Sequence, residues 1–326
     1  MKRKVITVLA LSLMVGAITA CGKPEIDDVS AQAESLNKVT GQQLKEEQGR
    51  SIECTFEIPD KSEDSSDIHI AATVAIPESE IVQGDYEQTL ISAEQIENVL
   101  LDGQKMEATG GQYSQEEWEI ASDPGSDKAF KIHYMIDHAI NKSFYDNTTI
   151  QIVADTDYTN DNYPTQEMRE QLDILSENAK NVSEQLEITS KVLGTTIGEE
   201  NGYYMADVKI VPCIEDVPLV ERNYGFIEDS YYISNAGVSS MQLNGSYSKK
   251  NEKKVSVMSV DDMLKIVKEK TEDGDIPGWK NVTYTNITLA YYLNSETNNF
   301  YPVWYIYSDT SNVYICINAQ TGEVIF

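Results

Sequence analysis

Short apolar runs rich in Val, Ile, Tyr and Thr recur along this chain, each bounded by Asp, Asn, Ser or Gly. Runs of that length and composition pack as strands. They occupy 51–58, 68–76, 130–136, 148–154, 203–211, 231–234, 238–243, 282–293, 301–307, 313–318 and 323–326. The first two, separated by an acidic turn over 60–67, read as a hairpin or as adjacent strands. Helical spacing is confined to three places. Ser92-Ala93-Glu94-Gln95 reads as a helix start, with Ile96, Val99 and Leu100 on one face and Gly103 near its end. After Pro164, Met168, Leu172, Leu175, Ala179, Val182 and Leu186 recur at alternating steps of four and three. This stripe is too short for a coiled coil and suits an amphipathic helix lying on its own sheet. Ser259 caps a third helix that runs to Lys270 and presents Met263, Leu264, Ile266 and Val267. Runs of strands mixed with a few helices predict an α+β fold of mainly antiparallel sheets with packed helices.

The amino terminus sets the compartment. Lys2, Arg3 and Lys4 precede an apolar run from Val5 to Ile18, and small residues then lead to Cys21. This is the layout of a secretory signal, and the run falls short of the roughly 20 apolar residues that span a bilayer. Ile18-Thr19-Ala20-Cys21-Gly22 resembles the lipobox of bacterial lipoproteins, with Ile18 where leucine is more usual. The resemblance implies cleavage between Ala20 and Cys21 and a diacylglycerol on the Cys21 thiol, which anchors the chain stably to a membrane. The expected divisions are a signal over 1–20, a flexible polar tether over 21–50, an α+β domain over 51–198 and a second over 199–326.

Loss of the three basic residues in 1–20 moves the formal charge from -29 to about -32. A surface so acidic is repelled by phosphate backbones and anionic headgroups, which argues against nucleic-acid partners and against docking on lipid through the protein surface. The membrane contact is then the covalent lipid on Cys21. Cys54, Cys213 and Cys316 each sit in a β-like run; an odd number leaves at least one unpaired, and buried thiols are favoured over a bridge.

The closing segment, Val313 to Ile325, contains Asn318-Ala319-Gln320-Thr321-Gly322-Glu323. It resembles the last hairpin of PepSY-like domains, where a strand ends in an Asp/Asn-x-x-Thr-Gly-Glu turn and reverses. The helix opening at Ser259-Val260-Asp261-Asp262 and Pro302-Val303-Trp304 follow the same order, and the layout is similar to the exported accessory proteins YycH and YycI and to clostridial lipoproteins of unknown function. The resemblance spans about residues 200–326. It implies regulation of partner proteins at the cell envelope and transfers no catalytic residue.

A search for chemistry yields little. His133 and His138 are five apart, which suits neither one strand face nor one metal on a helix, and His69 is remote from both. No nucleophile elbow, Ser-x-x-Lys pair, zincin motif or phosphate loop occurs. Asp155, Asp157 and Asp161 alternate like the opening of a calcium loop, but Asn160 stands where the turn glycine belongs and Gln166 where a bidentate Glu is required. An acidic loop is the better reading, so no metal and no cofactor is expected. Tyr301, Tyr305 and Tyr307 would share one face of a strand and Trp304 the other, offering rings for a glycan or small ligand if either face were open. The function expected is that of a non-catalytic, lipid-anchored envelope protein that binds or regulates another envelope protein. The alternative is a lipid-anchored glycan or small-ligand binder using the tyrosine-rich strands.

Overall fold

The computed structural model describes residues 36–325 except 37, 40, 60–64, 101–102, 104, 106, 109–116, 122–129, 136–138, 145–165, 201–202, 223–224, 235–236 and 309–310. The chain begins with β1 (Lys38–Val39), α1 (Gly41–Lys45), β2 (Ser51–Phe56), β3 (Ile68–Ala75), β4 (Val82–Thr89) and α2 (Ala93–Leu100). It continues through β5 (Glu107–Ala108), β6 (Glu117–Ala121), β7 (Phe130–Met135), β8 (Ala139–Phe144), α3 (Gln166–Gln185), β9 (Ser190–Glu200) and β10 (Tyr203–Ile214). There follow β11 (Val217–Glu221), β12 (Gly225–Phe226), β13 (Asp229–Ser234), β14 (Gly237–Gln242), β15 (Ser246–Lys254) and β16 (Val257–Met258). The last elements are α4 (Val260–Glu272), β17 (Thr283–Asn294), β18 (Asn299–Ser308) and β19 (Ser311–Asn318).

Two sheets carry the fold, mixed α and β with mainly antiparallel pairing. In the first, β17 lies at the centre: β18 runs antiparallel along one side, with Leu289 opposite Trp304, while β3 and β11 lie parallel along the other. β2 extends this sheet beyond β3, β19 and β4 flank β18, and β15 pairs with β4. The second sheet is antiparallel, in the order β5-β6-β7-β8-β14-β13-β10-β9.

Each helix is placed by its apolar stripe. Ser259 caps α4 by accepting the N–H of Asp262 at 3.2 Å, and Asp261 and Asp262 favour the positive end of the helix. Val260, Met263 and Val267 are wholly buried against Ile70, Leu289, Trp304 and Ile317 of the first sheet, each contributing about 1.5–3 kcal/mol of apolar burial. α3 buries Leu175 and Ala179 on β9, β10 and β13, so the stripe after Pro164 serves a sheet, as its length suggests. α2 opens with a reciprocal cap in which Ser92 Oγ accepts the Gln95 N–H and Gln95 Oε1 accepts the Ser92 N–H.

Two expected divisions need correction. The tether does not reach residue 50: β1 pairs with β16, Leu44 is 3% exposed in the main core, and Arg50 bonds both Glu47 and Asp261, tying this segment to α4. The polar composition hid it, because one leucine and a guanidinium suffice to seat so short a stretch. The boundary at 198/199 falls within the β9–β10 hairpin, whose pairing runs from Ser190–Pro212 to Glu200–Tyr203. Gly194 and Gly198 stand in β9, which pairs only with β10 among the described residues, and a Cβ at either would meet open space.

The chain instead crosses between the sheets four times: from β4 to α2, β10 to β11, β12 to β13 and β14 to β15. Residues up to 89, 213–228 and those from 245 onward build the first sheet and its helix, and the intervening segments build the second.

Candidate functional site

A groove of about 600 Å³ runs between α1 and the loop joining β3 to β4. Its apolar floor comes from Val39, Leu44, Ile76, Ile81, Val255 and Val257, and its rim from Lys45, Glu78, Glu80 and Lys254. Pro77 ends β3, since a residue without an N–H cannot continue the ladder, and sends 78–81 across the groove. That loop is held at several points. Gln48 accepts the Ile76 N–H, Asp216 accepts the N–H groups of Glu78 and Ser79, and Ile81 accepts that of Val255 at 3.2 Å.

Electrostatically the rim is balanced. Lys254 pairs with Glu80 at 2.7 Å, and in an adjoining recess of about 470 Å³ Lys249 pairs with Glu215 at 2.8 Å. Burial alone would push the Asp216 carboxyl up, but hydrogen bonds from Ser79 and Glu78, helped by Lys191, outweigh it and hold the group below the usual carboxylate range. Such a surface, apolar below with both signs of charge at the edge, suits a polypeptide segment better than a single ion. Among the described residues no group of three His, Cys, Asp or Glu side chains is positioned to hold a metal.

The tyrosine-rich strand does not form an open platform. Trp304 is fully buried against α4 and donates its Nε1–H to the Met258 carbonyl at 3.1 Å. Tyr305, 3% exposed, packs edge-on to Phe226 at 4.6 Å, and its neighbours Tyr301 and Tyr307 are half-buried. Tyr292 lies against Tyr301 at 5.2 Å, and Tyr307 meets Phe226 at 5.0 Å. The ligand-binding role assigned to this set is therefore corrected for Trp304 and Tyr305, whose rings are enclosed by a helix on one side and by β12 on the other.

His69 is exposed on β3 with its Nδ1 3.1 Å from Thr55 Oγ1, and His133 stands on β7 opposite Glu119 and Asn141. Cys54, Cys213 and Cys316 are all free thiols, the last two buried. Ala20, Cys21, His138, the run 148–154 and the candidate ligands Asp155, Asp157 and Asp161 lie outside the described residues. Among those residues no helix is long and apolar enough to cross a membrane.

The segment from Asn318 to Glu323 forms a tight turn at the carboxy end. Asn318 Oδ1 accepts the N–H groups of Gln320 and Thr321 at 2.9 and 3.1 Å, Gly322 takes a φ of 79°, and the chain reverses so that Asn318 donates to the Glu323 carbonyl. The groove itself was missed by sequence reasoning. Pro77 marks the end of a strand, but nothing local in the sequence links Glu78 and Ser79 to Asp216. Compared with protein families, with curated proteins and with solved structures, the chain matches none.

Proposed function

We propose that this protein is a lipid-anchored, extracytoplasmic envelope protein that acts by binding, without catalysis, and that the groove beside α1 receives a segment of another envelope protein. The observation that carries the reading is the position of the groove. α1, which forms one wall, is the first helix among the described residues, and only 16 residues lie between Cys21 and Lys38. Even fully extended, that length keeps the groove within about 60 Å of the lipid. A partner held there is itself at or near the membrane. The PepSY-like reading of the carboxy-terminal region draws support from the Asn318 turn and from the capped helix at Ser259, and it points to the same kind of role.

The test is capture in the native membrane. A photoreactive side chain replaces Gln42, exposed on the groove wall, or Glu177, exposed on the far helix α3, each with and without Cys21→Ala. The expected result is one protein recovered from position 42 in the anchored form and lost with Cys21→Ala. Equal recovery from both positions, or none from position 42, overturns the groove as the contact.

A further inference from the structure

Three of the four crossings between the sheets, β12–β13, β14–β15 and β4–α2, are tied together by one buried carboxylate and its amide partner. Asp229, with no exposed surface, begins β13 directly opposite Ile210, the last residue of β10 that pairs with β13. Its Oδ1 accepts both the backbone N–H of Asn244, at 2.7 Å, and the side-chain Nδ2–H of the same residue, at 3.0 Å. Asn244 lies in the β14–β15 crossing and also donates to the Glu228 carbonyl in the β12–β13 crossing at 2.9 Å. The β4–α2 crossing joins through Gln88, whose Nε2 donates to the Asn244 carbonyl at 2.7 Å. One carboxylate and one amide thus bind the strands that join the two sheets.

The other oxygen, Oδ2, is buried and has no hydrogen-bond partner among the described residues. The groups around it do not favour a charge. Tyr231 comes from the same strand, its hydroxyl taken by Ser183 of α3; Tyr247 comes from β15, with Tyr86 of β4 and Glu221 of β11 beyond it. Lys209 of β10 is spent on Glu228 at 2.9 Å. A charged carboxylate with one unsolvated oxygen is costly, while protonation of that oxygen removes the charge and leaves both Asn244 bonds in place.

We propose that the Asp229–Asn244 pair is a proton-sensitive joint between the two sheets, firm when Asp229 is protonated and looser when it is ionised. Burial pushes the carboxyl up to about 7, the hydrogen bonds from Asn244 drawing it only partly back, so the change falls near neutrality. The sign follows from linkage. The closed joint binds a proton that the open joint, with a carboxyl near 4, releases, so opening becomes easier as pH rises from about 4 to 7 and levels off above. This inference stands independently of the groove and its partner.

Hydrogen exchange tests it on the full mature chain, at the amides of Cys213, Ile227 and Asn244, each bonded at a crossing. Corrected for intrinsic rates, the opening constant should rise on the order of tenfold per pH unit between 5 and 7 in the native protein and stay level with Asp229→Asn. An equal slope in both proteins, or none in the native one, overturns the proposal. Should the variant fail to fold, the carboxyl carbon shift of Asp229 in the native chain decides: a midpoint near 7 supports the joint, and one near 4 refutes it.

Discussion

Asp216 and Ser79, 137 residues apart, meet beside the groove: the carboxylate accepts the Ser79 N–H at 3.1 Å and the Glu78 N–H at 2.5 Å. A charged acceptor shared by two consecutive amides holds a loop more firmly than apolar contact would. Asp216→Ala should cost about 1–3 kcal/mol and increase cleavage of the 78–80 loop by a protease specific for Glu.

The same carboxyl dictates a response to acid. Its folded value is held below the usual range, so its contribution is complete above about pH 4 and is lost as pH falls through the lower, folded value. The stability gap between the native chain and Asp216→Ala should therefore close in acid, which thermal unfolding at pH 3 and pH 7 would measure.

Trp304 fills the core between the first sheet and α4 and satisfies the Met258 carbonyl. Trp304→Phe removes both the bond and part of the ring, with an expected loss of about 2–4 kcal/mol in denaturant unfolding. A neutral result would mean that the strand face is open enough to rearrange, which would revive its candidacy as a ligand platform.

Gly245 takes a φ of 95°, and a Cβ there would stand 2.4 Å from the Thr89 carbonyl oxygen. Gly245→Ala should destabilise by about 1–3 kcal/mol, through strain and through displacement of the β4–β15 pairing. Circular dichroism melts of the mature chain would read it.

Burial raises the thiols of Cys54, Cys213 and Cys316, with Cys213 pushed up to about 12. In a chain starting at Gly22, a disulfide reagent at pH 8 should modify Cys54 slowly. Cys213 and Cys316 should react only after denaturation. Fast reaction of two thiols in the folded protein would contradict their burial.

Where a segment's pattern repeated the demand of its surroundings, the sequence was a sufficient guide. The stripe from Leu172 to Leu186, the alternation over 68–76, the Ser259 cap and the Asn318 turn each state locally what they do. β4 and β15 do not. Gln83, Glu87, Lys250 and Lys253 leave no apolar alternation, because this ribbon is largely exposed and is held by pairing from Val82 with Lys254 to Thr89 with Ser246. Periodicity reports which face is buried, and a strand with little buried face has little to report.

The sequence by itself determined the α+β class, most of the apolar strands, the three longer helices and the expectation of an exported, lipid-bearing chain. Only the tertiary structure decided that 38–50 belong to the fold, that the two sheets interleave the chain rather than divide it near 198, and that Asp216 meets Ser79 and Asp229 meets Asn244. The reason is physical. Strand and helix patterns are written over a few neighbouring residues, whereas a parallel pairing such as β3 with β17, or a carboxylate closing a loop 137 residues away, depends on where separate segments come to rest.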